Sequence, residues 1–281
     1  MTTETGAFVT APEAKPSREE LKKRLVAFWE SQAANRDTEL DENAVSLRIR
    51  GKLAACIPEG SRILDAACGT CANSAWYSAQ GRYFGTDLSE GFLRLGKKLE
   101  SRLCCADAER LPFADKSFDA VSFTYALEHT VEPESVLKEL CRVTREKGRV
   151  LLLGPSWDLP FWYPNALKSR SNVRGWRLRY TISRLRGQLA GWLLGRLPFE
   201  MMDEPDAFHR PFEADSDAVY VVWSYEVIRQ MKRTGFRLMH SEVDDRLIGT
   251  KFAVKLLMRL LFLLPLYRLA GSTVLMVFER D

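Results

Sequence analysis

The sequence predicts an α/β protein built on a parallel sheet with helices on both faces. Two observations carry this. Between about residues 60 and 156, short apolar runs of strand length alternate with segments of helical length, and the first three runs each end beside an acidic residue. The third support is size: 281 residues, 46% hydrophobic and 28% charged, supply enough apolar side chain for one elaborated domain. The same composition excludes disorder, collagen-like repeats and a small disulfide scaffold.

The elements follow in order. Residues 1–16 are small, polar and Pro-containing and predict a flexible tail. Ser17 with Glu20 forms a capping box, and Leu21, Leu25, Phe28 and Trp29 make one helical stripe. A second helix is predicted over about 42–56, ending before Pro58, so residues 17–57 form an N-terminal helical pair. Strands are predicted over 62–66, 82–86, 103–106, 118–124 and 149–154, with helices over 72–80, 90–100 and 132–145 between them. After an interruption come a helix over 225–234 closed by Gly235, a strand over 236–243 and a last strand over 272–279. Residues 155–222 and 245–271 break the alternation and are two inserts.

The first strand runs through Asp65 into ILDAACGTC, a small-residue turn opening a helix, where backbone N–H groups can approach a ligand closely. About twenty residues on, the second strand ends in Asp87, placed to grip a ribose diol. The third ends in Ala106-Asp107-Ala108. One strand-terminal Asp commonly caps the next helix. Three on successive strands suit an adenosine-bearing ligand.

These motifs resemble the class I S-adenosylmethionine-dependent methyltransferases, specifically the subfamily that includes ubiquinone/menaquinone-type enzymes. ILDAACGTC stands for the glycine-rich first motif and GTDLS for the ribose-binding acid. CADAERLPFADKSFDAV matches the adenine-side loop and fourth strand, and YALEHTVEPESVLKELCRVTREKGRVLLLGPS the segment through the fifth strand. The resemblance covers about Gly60–Ser156 and implies a Rossmann-like three-layer sandwich. Its seven-stranded sheet has an antiparallel last strand, with helical inserts at the carboxyl edge. It also implies S-adenosyl-L-methionine as cofactor. Asp65, Ala67 and Gly69 would surround its methionine part, Asp87 with Leu88 beside it the ribose, Asp107 and Ala108 the adenine, and Tyr125 the sulfonium end. The family's first and last motif glycines are Ala67 and Cys71 here, and a Cys side chain crowds the helix start unless it points away.

Methyl transfer needs positioning, desolvation and at most one base. His129 and His209 are the candidate bases, each also readable as a structural histidine; His240 falls within a strand pattern and reads as structural. Trp157, Phe161, Trp162 and Tyr163 are the candidate acceptor-pocket residues, placed directly after the fifth strand.

Charge is distributed unevenly. The chain carries 41 basic and 37 acidic residues, but 159–199 and 246–278 contain no acid and thirteen of the basic residues, interleaved with Trp, Tyr and Leu. The remainder holds 28 basic against 37 acidic residues. Parallel strands deliver both inserts to the carboxyl edge, where they predict a lid or a membrane-facing cap. The reading is a methyltransferase acting on a lipid-like or lipid-linked small molecule, with an anionic membrane surface as a further partner. A soluble quinone, polyketide or sugar methyltransferase under a helical lid stays open, as does a non-catalytic cofactor-binding protein. A net charge of +4 argues against a nucleic-acid partner. The six cysteines read as buried thiols rather than metal ligands, because Cys104-Cys105 lacks a spacer and no His is near in sequence. With no signal-peptide pattern at the start, the expected location is cytoplasmic, as a peripheral membrane protein.

Overall fold

The structure, a computed structural model, describes residues 17–35, 44–100, 102–159, 161, 175–194, 199–201, 218–244, 256, 260, 263–264, 267–271 and 273–281. The expected tail, His209, Trp162 and Tyr163 lie outside the described residues.

Continuous apolar runs form the sheet because both of its faces are covered. Strands β1 (Ser61–Ala66), β2 (Gly81–Asp87), β3 (Leu103–Cys105), β4 (Phe118–Thr124) and β5 (Thr144–Pro155) are parallel. Two further short strands, β6 (Glu200–Met201) and β7 (Tyr220–Val221), pair only with each other. Strands β8 (Phe236–Asp244) and β9 (Thr273–Arg280) complete seven, in the order β3-β2-β1-β4-β5-β9-β8, with β9 antiparallel to both neighbours. Alternate residues face opposite ways. Leu64, Val121, Val150, Leu152 and Met276 pack in one core with α5 (Pro133–Val143) and α7 (Ser224–Arg233), while Ile63, Ala120, Leu151, Leu153 and Leu275 pack on the other face with α2 (Ala44–Ala55). The three-layer sandwich and antiparallel last strand are as the sequence implies.

Differences in element length have local causes. Helix α3 (Ser74–Ser78) is shorter than predicted because the residues before it form the motif turn. Helix α4 (Glu90–Gly96) stops at Gly96, whose carbonyl accepts from the Leu99 and Glu100 N–H groups at 2.8 and 3.0 Å. A Cβ at Gly96 would lie 2.6 Å from Cys71 Sγ, so this position has no room for a side chain. Cys104 and Cys105 are exposed rather than buried, because β3 is a three-residue edge strand. His240 likewise faces outward on the edge strand β8, half exposed, with Nε2 3.9 Å from Glu242 Oε2. Helix α1 (Arg18–Asn35) starts at the predicted cap: Glu20 N–H donates to Ser17 Oγ at 3.2 Å.

The strand order reverses between β1 and β4. Such a switch point leaves a crevice at the carboxyl ends of the strands.

Candidate cofactor and acceptor site

At that crevice lies a cleft of about 560 Å³. Its size is in the range of small-ligand and cofactor pockets. The turn after β1 forms the floor, with Ala67, Gly69 and Cys71 all left-handed, at φ 54°, 53° and 62°. Glycine accepts this geometry freely, whereas a Cβ there costs about 1 kcal/mol. The Cys71 side chain points away from the cleft: it is fully buried, with Sγ 3.8 Å from Cys68 Sγ and packed toward Gly96. A Cβ at Gly69 would meet nothing within 4 Å, so the turn presents an open face there.

Asp87 ties the second strand to this turn. Its Oδ2 accepts from Gly69 N–H at 2.8 Å and its Oδ1 from Ser89 N–H at 2.9 Å. Burial raises its pKa and those backbone bonds oppose the rise. A carboxylate offers about four acceptor sites, and the Gly69, Leu88 and Ser89 N–H groups do not use all of them. Asp65 sits beneath the turn rather than in the cleft wall. It accepts from Tyr83 Oη at 3.2 Å and Asn73 Nδ2 at 3.4 Å, and burial pushes its carboxyl up to about 7. Its Oδ1 is buried with no hydrogen-bond partner among the described residues. Asn73 does line the cleft and also reaches Thr124 Oγ1 at 3.4 Å.

Beyond β3, Asp107 and Ala108 line the cleft wall, and Leu88 lies next to Asp87. The Lys22 ammonium of α1 pairs with Asp107 and, at 2.5 Å, with Glu109. Burial works against that ammonium, but the two carboxylates outweigh it and raise its pKa. Tyr125, left-handed at φ 49° and about half exposed, stands at the mouth with Oη 3.4 Å from Thr273 Oγ1. His129, on the short 3₁₀ turn Leu127–His129, also lines the cleft, with Nε2 3.6 Å from Glu128 Oε1. The Trp29 ring meets it edge-on at 5.3 Å and approaches Phe92 at 6.0 Å.

This constellation fits an adenosine-bearing cofactor: a close-approach turn, a bidentate carboxylate, a second acid and an apolar wall share one cleft. The comparisons with known proteins agree. The family described as a methyltransferase domain matches residues 64–152. Residues 64–152, about a third of the chain, are thus similar to a methyltransferase domain. A demethylmenaquinone methyltransferase of Mycobacterium sp. (strain KMS) is 39% identical over 97 residues, covering 34% of this chain and 42% of that protein. One from Clavibacter sepedonicus is 41% identical over 99 residues, covering 33% and 40%. The likeness thus spans less than half the length of these relatives. Among solved structures, Burkholderia thailandensis 1,6-didemethyltoxoflavin-N1-methyltransferase, bound to S-adenosylhomocysteine, aligns over 99% of this chain and 98% of its own (TM-score 0.56, 14% identity). The (4+2)-cyclase SpnF aligns over 96% and 98% (TM-score 0.53, 13% identity). At such identities these two establish the fold alone, and their different reactions show why the site must carry the function.

The structure brings Ala67, Gly69, Asp87, Leu88, Asp107, Ala108, Tyr125 and His129 to one cleft, with Asp65 beneath it. It does not bring Trp157 there. That ring is 3% exposed in the main core, where its carbonyl accepts from Arg184 Nη2 at 2.6 Å. Phe161 is exposed and also outside the cleft lining. The aromatic and apolar wall comes instead from the N-terminal helices, through Leu25, Trp29, Ile49 and Leu53. Sequence reasoning gave these helices no part in the site. The available signal was the Leu25–Trp29 stripe, which continues past what a lone surface helix needs.

Proposed function

We propose that the chain transfers a methyl group from S-adenosylmethionine to a small amphiphilic acceptor, quinone-like and lipid-linked in character. The observation that carries this is the pairing of polar and apolar walls in one cleft: Asp87 on Gly69 at one end, Leu25, Trp29, Ile49 and Phe92 at the other. The demethylmenaquinone methyltransferases support the acceptor class by their likeness over 97 and 99 residues. Bound, the cofactor supplies an electrophilic methyl group on a sulfonium.

The remaining chemistry belongs to the chain's own residues. Asp87 accepts the ribose hydroxyls, and Asp107 and Ala108 face the adenine. Asp65 acts from below, by fixing Asn73. Trp29 and Phe92 exclude water, which strengthens every polar contact inside. Tyr125 stands where the reacting ends meet. His129 Nε2, beside the Glu128 carboxylate, takes the proton from an acceptor hydroxyl as its oxygen or the adjoining ring carbon gains electron density.

Calorimetric titration with S-adenosylmethionine tests the reading. Saturable binding, followed by label transfer from methyl-labelled cofactor to a demethylated quinol bearing a prenyl tail, supports it. No binding at millimolar cofactor overturns it.

A further inference from the structure

Helix α6 (Trp176–Leu194), in the first insert, is amphipathic in the reverse sense. Its inward face carries Arg184 and Gln188, each 1% exposed, and buried Gly191. Its outward face carries Leu178, Ile182, Leu185, Leu189 and Leu193, all exposed, the last at 68%. These stand three or four residues apart and form one stripe. The stripe is therefore not core, as a lid with a solvated polar face would require.

The polar groups inside are bonded. The Arg184 guanidinium donates to the Trp157 carbonyl at 2.6 Å and lies 3.7 Å from the Trp223 ring centre. Gln188 donates to the Asp158 carbonyl at 2.7 Å and accepts from Tyr267 Oη at 2.8 Å. Ser156 Oγ donates to the Leu269 carbonyl at 2.9 Å, and the Asp158 carboxylate accepts from Ser224 N–H at 3.0 Å. Polar bonds thus tie α6 and the end of the second insert to the strand end after β5. The second insert shows the same habit: Leu256, Leu260, Leu263 and Leu264 are at least half exposed.

We propose that the outward stripe of α6, with the exposed leucines of the second insert, docks the chain on an anionic lipid bilayer. This deepens the acceptor reading above and rests on it for its purpose. Charge selects the occupant. Arg179 and Arg186 are exposed on the same helix, and neither 159–199 nor 246–278 contains an acid. Leucine beside exposed arginine is the pattern of a helix lying in the plane of an anionic interface. A second copy seated on the same stripe would set arginine against arginine with no acid on α6 to pair them. Among the described residues no helix is long and apolar enough to cross a membrane, so the contact is in-plane.

Vesicle flotation of the full chain at low salt tests this, using phosphatidylglycerol–phosphatidylcholine vesicles against phosphatidylcholine alone. We expect flotation with the anionic vesicles only. It should fall by about tenfold or more in the Leu185→Ser/Leu189→Ser variant, with thermal unfolding unchanged because both side chains are exposed. The proposal is overturned if the wild type stays down with anionic vesicles, or if the double variant floats as well as the wild type. It is also overturned if light scattering shows a wild-type dimer that the variant converts to monomer, since the stripe would then join two copies. No cofactor is present, so failure to bind S-adenosylmethionine leaves this result intact.

Discussion

The two sides of the sheet's carboxyl edge use polar residues in opposite ways. On the β1–β4 side, Asp87, Asn73, Asp107 and His129 are held at the wall of an open cleft. On the insert side, Arg184, Gln188 and Asp158 are sealed inside while leucines face outward. A polar group left facing a cleft keeps lone pairs or protons for a ligand. One sealed within a core has all of its value in holding elements together, and breaking it leaves a buried group unsatisfied. The difference separates residues that act on a ligand from residues that present a surface.

The sharpest test of that contrast is Arg184→Ala. It leaves the Trp157 carbonyl without its donor, removes the cation over Trp223 and takes the guanidinium from beside the buried Asp158, whose carboxyl burial already pushes up to about 6. The expected loss is about 2–4 kcal/mol of stability in urea unfolding, with cofactor affinity unchanged. A loss below about 0.5 kcal/mol would mean that the buried bonds merely accompany the packing.

Asp87→Ala should do the reverse. It removes one bond to the motif turn, at Gly69, one to Ser89 at the start of α4, and the proposed ribose acceptor. Losing hydrogen bonds to a charged group weakens binding by about 1.5–3 kcal/mol, or about 10–100-fold in calorimetric Kd. Unchanged affinity would place the ribose elsewhere.

The cofactor half was legible because its signals are local. A strand, a turn and an acid at fixed spacing place Asp87 and Gly69 together whatever the rest of the chain does. Helix α1 was legible as a helix but not as a wall of the site, because Lys22 meets Asp107 across 85 positions of sequence. Trp157 was misleading for a related reason. Position after β5 predicted a pocket residue, but a tryptophan next to a buried arginine packs inward. The reversed face of α6 was not legible at all: leucines at helical spacing signal one apolar stripe and give no sign of which way it points.

Acidity supplies a smaller effect that also distinguishes the regions. The Asp65 carboxyl rises from 3.8 to about 7 on folding, chiefly by burial. A carboxyl raised in this way keeps a proton that the unfolded chain has lost. Stability therefore falls as pH climbs from about 4 to about 7 and levels off above. Asp158 adds a fall of the same sign up to about pH 6, and Asp87, also raised, adds to it. Asp65→Asn should shrink the decline and gain about 1–3 kcal/mol at pH 8 with little change at pH 4, read from unfolding curves across pH. An undiminished slope would assign the titration to Asp158 and Asp87.

The smallest expected effect concerns the turn itself. Ala67 holds φ at 54° with a methyl group that glycine would lack. Ala67→Gly removes that clash, about 1 kcal/mol, but frees the unfolded chain by somewhat less. The net should be a gain of about 0.5 kcal/mol in unfolding free energy, with cofactor affinity equal or improved because the turn keeps its shape. Cys71→Gly should not show the same gain. It relieves the same kind of backbone strain but empties a fully buried site packed against Cys68 and Gly96. If both variants gained alike, the Cys71 thiol would contribute nothing by its packing. If Ala67→Gly lost stability, the turn would be held by its hydrogen bonds to Asp87 and Thr86 strongly enough to make the methyl group irrelevant.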